Sequence, residues 1–180
     1  VYDFENYRYH LGPALACSNI YPKCYNEAFF DGMKAMGKKD IVNLTRSGWV
    51  GSQKLGAVLW NVDVQSSWEC LSDSIAQGLN MGIAGFPWWN TDIGGFMYGN
   101  VEDPKFIELL ERWCEFAVFS PIMRLHGDRD PHDTPPISKF PEQDYGGGYL
   151  FTGRANEIWS YGEECQKIFE QQIKLSESLR

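Results

Sequence analysis

Gly56-Ala57-Val58-Leu59-Trp60 is an apolar run, and Asn61-Val62-Asp63 follows it directly ahead of a helix start. Short apolar runs bounded by turn signals read as buried strands. This strand delivers one carboxylate, Asp63, to its C-terminal end. The pattern recurs at Gly82-Ile83-Ala84-Gly85-Phe86, which leads into Pro87-Trp88-Trp89-Asn90-Thr91-Asp92, and again at Pro121-Ile122-Met123-Arg124-Leu125-His126-Gly127. Strands that alternate with helices build a parallel sheet. In such sheets the strand tips carry the chemistry, because loops vary there without cost to the core. Three tips that each offer a polar group beside aromatics point to one pocket made from several loops, of the kind that holds a sugar.

The elements work outward from that run. A helix is expected over about Asn26 to Met36, stopped by Gly37, and a strand over Asp40–Thr45. Residues 1–25 read as irregular, with Gly12-Pro13 and Tyr21-Pro22 as breakers. Ser66-Ser67-Trp68-Glu69 reads as a capping box with Ser66 as the cap. Trp68, Leu71, Ile75 and Leu79 then recur at helical spacing. Strands are expected at 82–86 and Phe119–Leu125. Asp103-Pro104 opens a helix whose apolar face is Phe106, Leu110, Trp113, Cys114 and Ala117. A loop over Gly127–Gly153 carries three glycines at 146–148, and a last helix runs from about Asn156 to Leu179. Trp49 and Trp68 are expected in the core.

The fold class is therefore α/β. A doubly wound sheet is one form, but no Gly-x-Gly-x-x-Gly and no phosphate loop follow any strand. The other is a partial (β/α)8 barrel. Half a barrel leaves two strand edges open, so residues 1–180 are expected to be one portion of a longer polypeptide.

The 180 residues suffice for one real core, and 43% are hydrophobic. A net charge of -8 argues against nucleic acid, whose binding needs a basic face. No apolar run is long enough for a membrane span. The five cysteines, 17, 24, 70, 114 and 165, have no Cys-x-x-Cys spacing, so no metal site is signalled. Cys70, Cys114 and Cys165 fall among apolar residues as buried thiols, which favours a reducing, cytoplasmic setting.

Breaking a glycosidic bond takes two carboxyl groups about an oxocarbenium-like transition state. Asp63 and Asp92 are the internal candidates, and spacing does not assign their roles. Each also suits a turn or a cap. Arg46 opens the loop after strand 40–45, where a guanidinium grips hydroxyls or a carboxylate, or simply lies on the surface. His126 donates to a sugar hydroxyl or sits satisfied in the core, and Arg124 shares its side of the strand. Trp60, Trp88, Trp89 and Phe96 offer an apolar platform.

Three motifs in order carry a resemblance: Arg46-Ser-Gly-Trp-Val-Gly-Ser-Gln-Lys-Leu-Gly-Ala-Val-Leu-Trp-Asn-Val-Asp63, Gly85-Phe-Pro-Trp-Trp-Asn-Thr-Asp-Ile-Gly-Gly-Phe96 and Arg124-Leu-His-Gly127. Together they resemble glycoside hydrolase family 31, the retaining α-glucosidases, α-xylosidases and relatives on a (β/α)8 barrel. The resemblance implies a chain covering roughly strands five to eight with their helices. It assigns the acid/base role to Asp63 and −1 subsite contacts to Arg46, Trp60, Asp92 and His126, which makes Asp92 a binder rather than a catalyst. It implies an oligosaccharide or α-glycoside substrate and no cofactor, and leaves a homo-oligomer open.

Two departures stand out. Val62 replaces the family's usual glycine, and a β-branched residue adopts φ > 0 only at a cost. The Trp-x-Asp-x-x-Glu segment that carries the family's nucleophile is absent. It is expected just upstream of Val1, so these residues alone are expected to be inactive. The other class of reading is a non-catalytic carbohydrate-binding or scaffold protein.

Overall fold

The structure, a computed structural model, describes residues 4–135 and 152–179. The glycines at 146–148 lie outside the described residues. A 3-10 turn (Phe4–Asn6) leads into a hairpin of β1 (Arg8–Tyr9) antiparallel to β2 (Gly12–Pro13), then α1 (Ala14–Cys17). Helix α2 (Tyr21–Ala35) starts ahead of the expected Asn26. Pro22 did not break it, because a proline in the first turn gives up an N–H that has no partner there anyway. The helix ends just before Gly37, whose φ is 79°.

Strands β3 (Asn43–Thr45), β4 (Ala57–Trp60) and β5 (Trp89–Asn90) form one parallel sheet in that order, with Leu44 opposite Val58 and Trp60 opposite Asn90. A parallel bridge from Asp92 to Arg124 adds a fourth position. Helix α3 (Trp68–Ile83) joins β4 to β5, and α4 (Pro104–Ala117) leads to the fourth position. Beyond the tips, β6 (Gly99–Asn100) and β7 (Arg129–Asp130) make a short parallel pair, and α5 (Glu163–Ser178) closes the order. Parallel strands in sequence order with helices between them are an arc of a barrel wall.

Several expected boundaries moved. The apolar run 82–86 is not a strand: it is the end of α3 and a turn in which Gly85 takes φ 82°. The true strand is the two-residue Trp89-Asn90, followed by polar Thr91 and Asp92, so its signal was weak. The expected strand Phe119–Leu125 reduces to the single bridge at Arg124. The cap of α3 is Ser67, whose hydroxyl accepts from the Cys70 amide at 3.1 Å, and not Ser66. The last helix begins at Glu163, after a 3-10 turn (Ile158–Tyr161) and Gly162.

Asp103 caps α4 by accepting from the Lys105 amide at 2.9 Å. The α4 face of Phe106, Leu110, Trp113, Cys114 and Ala117 is buried as its spacing implies, against Leu71, Ile93, Cys165 and Phe169. Each such large side chain contributes about 1.5–3 kcal/mol by leaving water. Burial pushes the thiols of Cys114 and Cys165 up to about 12, so neither is a nucleophile at neutral pH. Helix α3 is rotated from its expected seat. Leu71 and Ser74 are buried, while Trp68, Ile75 and Leu79 are exposed. The inward line includes Gly78, where an added Cβ would come within 2.9 Å of the Trp89 ring. Trp49 is likewise exposed and not core.

Candidate active site

Side chains alternate across a strand, and this sorts the candidates. On β4, Leu59 faces the helix layer with Phe86 and Trp89, so Trp60 faces the other way. The Trp60 ring takes the guanidinium of Arg46 at 5.9 Å from its centroid and that of Arg124 at 5.3 Å. Arg46 follows Thr45, which pairs with Leu59, and so lies level with Trp60. Its Nη2 donates to Asp63 Oδ2 at 3.1 Å.

Asp63 stands at the apex of a tight turn. The Val64 amide donates to the Val62 carbonyl at 2.9 Å, and Val62 is held at φ 64°. A β-branched residue in the left-handed region is strained, and the side chain of Val62 is exposed, so packing does not compensate. The amides of Phe96 and Met97 both donate to the Val64 carbonyl, at 2.8 and 3.0 Å. The Asp63 loop is thus stitched to the loop that follows Asp92.

Asp92 is fully buried. Its Oδ1 accepts from Arg124 Nη2, while Oδ2 has no hydrogen-bond partner among the described residues. Burial pushes the Asp92 carboxyl above the usual carboxylate range, against the pull of Arg124 and His126 and with a push from Asp63. His126 rests against Phe96, ring centroids 5.3 Å apart.

The structure thus links Arg46, Trp60, Asp63 and Asp92 through direct contacts and Arg124, with Phe96 and His126 on the adjoining tip. It does not bring the other two aromatics there. Trp89 is a correction: its ring is buried in the helix layer against Gly78 and is closed to a sugar. Trp88 is another. It lines a cavity of about 440 Å³ with Lys39, Asp40, Val42, Gly56, Val58 and Ile122, all at the opposite ends of the strands.

Asn90 was missed by sequence reasoning. It is buried, donates to the Leu59 carbonyl at 3.0 Å and accepts from Arg124 Nε at 2.8 Å. Its signal was period two, since it lies on the same strand face as Asp92. Among the described residues no cluster is fit to hold a metal ion, and no helix is long and apolar enough to cross a membrane.

Chemically the cluster offers an accessible carboxyl in a guanidinium's grip, a buried carboxylate oxygen with a free lone pair, and an indole N–H of Trp60 with no partner among the described residues. Acceptors and donors converging beside an aromatic ring suit a polyhydroxylated ring.

Comparison with known proteins identifies the family. The family description "Glycosyl hydrolases family 31 TIM-barrel domain" matches residues 4–145. An uncharacterized family 31 glucosidase from Pseudescherichia vulneris is 54% identical over 130 residues, covering 72% of this chain and 25% of that protein. An α-xylosidase from Saccharolobus solfataricus is 37% identical over 123 residues, 68% of this chain and 17% of that one. The crystal structure of a family 31 α-xylosidase from a soil metagenome, complexed with xylose, superposes on 99% of this chain and 26% of its own with a TM-score of 0.88 and 51% identity. The chain therefore spans about a quarter or less of the proteins it matches. The chain belongs to glycoside hydrolase family 31 and is part of its (β/α)8 barrel domain.

Proposed function

We propose that the protein carrying this chain hydrolyses terminal α-glycosidic bonds with retention, acting on an α-xyloside or α-glucoside. The chain supplies barrel strands five to eight, the acid/base and part of the −1 subsite. Asp63 protonates the leaving oxygen and then takes the proton from water in the second step. Arg46, Trp60, Asp92 and His126 hold the sugar, and their bonds strengthen as the ring flattens. The nucleophile comes from outside these residues, so the 180 residues alone do not turn over.

The observation that carries this is the pairing of two unlike carboxyls at neighbouring strand tips. Asp63 is accessible beside Arg46, and Asp92 is buried with Oδ2 unpaired among the described residues. The relatives' names, glucosidase and α-xylosidase both among them, support a glucose- or xylose-type sugar in the −1 site.

The test is hydrolysis of aryl α-xyloside and aryl α-glucoside by the intact protein, with the first-formed anomer read by NMR. Release of the α-anomer, slowed in Asp63→Asn and most of all for poor leaving groups, is expected. Inversion would overturn the mechanism. Sugar binding without turnover would instead favour a carbohydrate-binding protein.

A further inference from the structure

Three residues past His126, a guanidinium is buried where, among the described residues, no carboxylate accepts from it. Arg129 has zero exposure, and its hydrogen bonds to the described residues go to neutral oxygens. Nη1 donates to the Gly95 carbonyl at 2.8 Å and to the Asp128 carbonyl at 3.5 Å. Nη2 donates to the Ile93 carbonyl at 3.1 Å. Nε donates to Asn156 Oδ1 at 3.2 Å and to the Tyr161 hydroxyl at 2.9 Å. The plane stacks on Phe106, 5.1 Å from its centroid.

Burying a charge this way is costly, and an apolar residue would stabilise a core more simply. The identity of the partners shows what the arginine adds. Gly95 is the second of the two left-handed glycines, Gly94 and Gly95 with φ 85° and 76°, in the loop that begins at Asp92, and Ile93 directly precedes them. Asn156, held by Arg129, in turn donates through Nδ2 to the Gly127 carbonyl at 3.2 Å, next to His126. Gly127 has no side chain because the guanidinium occupies its space: an added Cβ would lie 2.3 Å from Nη1. Gly99 is crowded in the same way, at 3.0 Å. One planar fork, the group suited to several fixed acceptors at once, therefore ties the Asp92 loop to the His126 loop.

We infer that Arg129 is a positioning residue for the −1 sugar site, fixing Asp92 and His126 at a set separation while touching no substrate. This rests on the glycosidase reading above and deepens it.

The test uses the intact protein with Arg129→Lys, plus Tyr161→Phe as a milder variant that removes one bond to Nε. Three quantities are measured per folded active site: kcat/KM for aryl glycosides, inhibition by free xylose or glucose, and the dependence of rate on leaving-group pKa. Arg129→Lys is expected to lower kcat/KM about 30- to 100-fold and weaken inhibition by the free sugar at least tenfold. The leaving-group dependence should hold, because Asp63 is untouched. Tyr161→Phe should move the same quantities about threefold, and 10–100 mM methylguanidinium should partly restore Arg129→Ala.

A role in stability alone would lower Tm and the folded fraction but leave sugar inhibition and kcat/KM per active site within twofold, and that result overturns the inference. If the wild type neither binds nor cleaves α-glycosides, the glycosidase reading fails instead. Hydrogen exchange then decides this inference separately. Faster exchange in both 93–96 and 126–128 in Arg129→Lys, and not in α2, supports it, whereas protection unchanged in either segment overturns it.

Discussion

The tips of β4 and β5 carry an aspartate each, and the two have opposite surroundings. Asp63 keeps 41% of its side chain in solvent, and its partner Arg46 keeps 59%. Asp92 keeps none, and Arg124 only 20%. An exposed ion pair contributes little to stability, so on the proposed function the Asp63–Arg46 contact orients a proton-exchanging group more than it holds the fold. The Asp92–Arg124 pair sits where desolvation is expensive, and the proposed function leaves Oδ2, which has no partner among the described residues, for a ligand. On that proposal the first is a mobile proton donor and the second a fixed acceptor for the sugar.

The largest effect should fall on the mobile side. In the intact protein Asp63→Asn should lower kcat/KM for poor leaving groups about 10²- to 10⁴-fold, with a smaller loss for activated aryl groups. Equal losses across a leaving-group series would erase the distinction between the two tips.

On the fixed side, Asp92→Asn should cost about tenfold or more in sugar affinity, the worth of a charge-assisted hydrogen bond, and should not lower Tm. The sign follows from burial. A carboxyl pushed above 3.8 in the folded state binds its proton more tightly there than in the unfolded chain. Its contribution to stability is full below 3.8 and is lost as pH rises through the elevated value. Wild-type Tm minus that of Asp92→Asn should therefore fall as pH rises through that window. A difference that rises instead would show that Arg124 outweighs burial.

Smaller effects sharpen the backbone side of the contrast. Val62→Gly should raise stability by about 0.5–1 kcal/mol, since glycine accepts φ > 0 and its extra chain entropy offsets only part of the relief. Urea unfolding measures it, and a loss of stability would mean that the Val62 side chain contributes more than its exposure implies. Smallest of all, Ser67→Ala should cost about 1 kcal/mol or less as a lost helix cap, whereas Ser66→Ala should stay within about 0.5 kcal/mol.

Much of the fold was legible where local signals agree. Asp103-Pro104 with its apolar face specified α4, and the run at 57–60 specified β4. It was illegible where function shapes the strand. Asn90, Thr91 and Asp92 are buried polar residues, and so β5 lacks the apolar pattern of a strand while the helix end at 82–86 mimics it. The paired tryptophans fail as a shared platform because Trp89 packs into the helix layer and Trp88, just ahead of β5, lies with residues at the opposite ends of the strands. Roles for Arg46, Asp63, Asp92 and His126 were assigned through ordered motifs, because sequence spacing alone does not separate a clamp from a turn. Arg129 had no such signal, since the acceptors that tie it to the Asp92 loop are main-chain carbonyls more than thirty positions away.

Gly78 sets a distance that neither aspartate reveals. With only a hydrogen facing the Trp89 ring, α3 settles against the wall of the sheet at the separation that an indole's thickness demands. Any larger residue would wedge helix and strand apart, and β5 would shift with Asn90, the residue that braces Arg124. A methyl group on the outer layer, remote from any saccharide, would thereby be felt on the inner one.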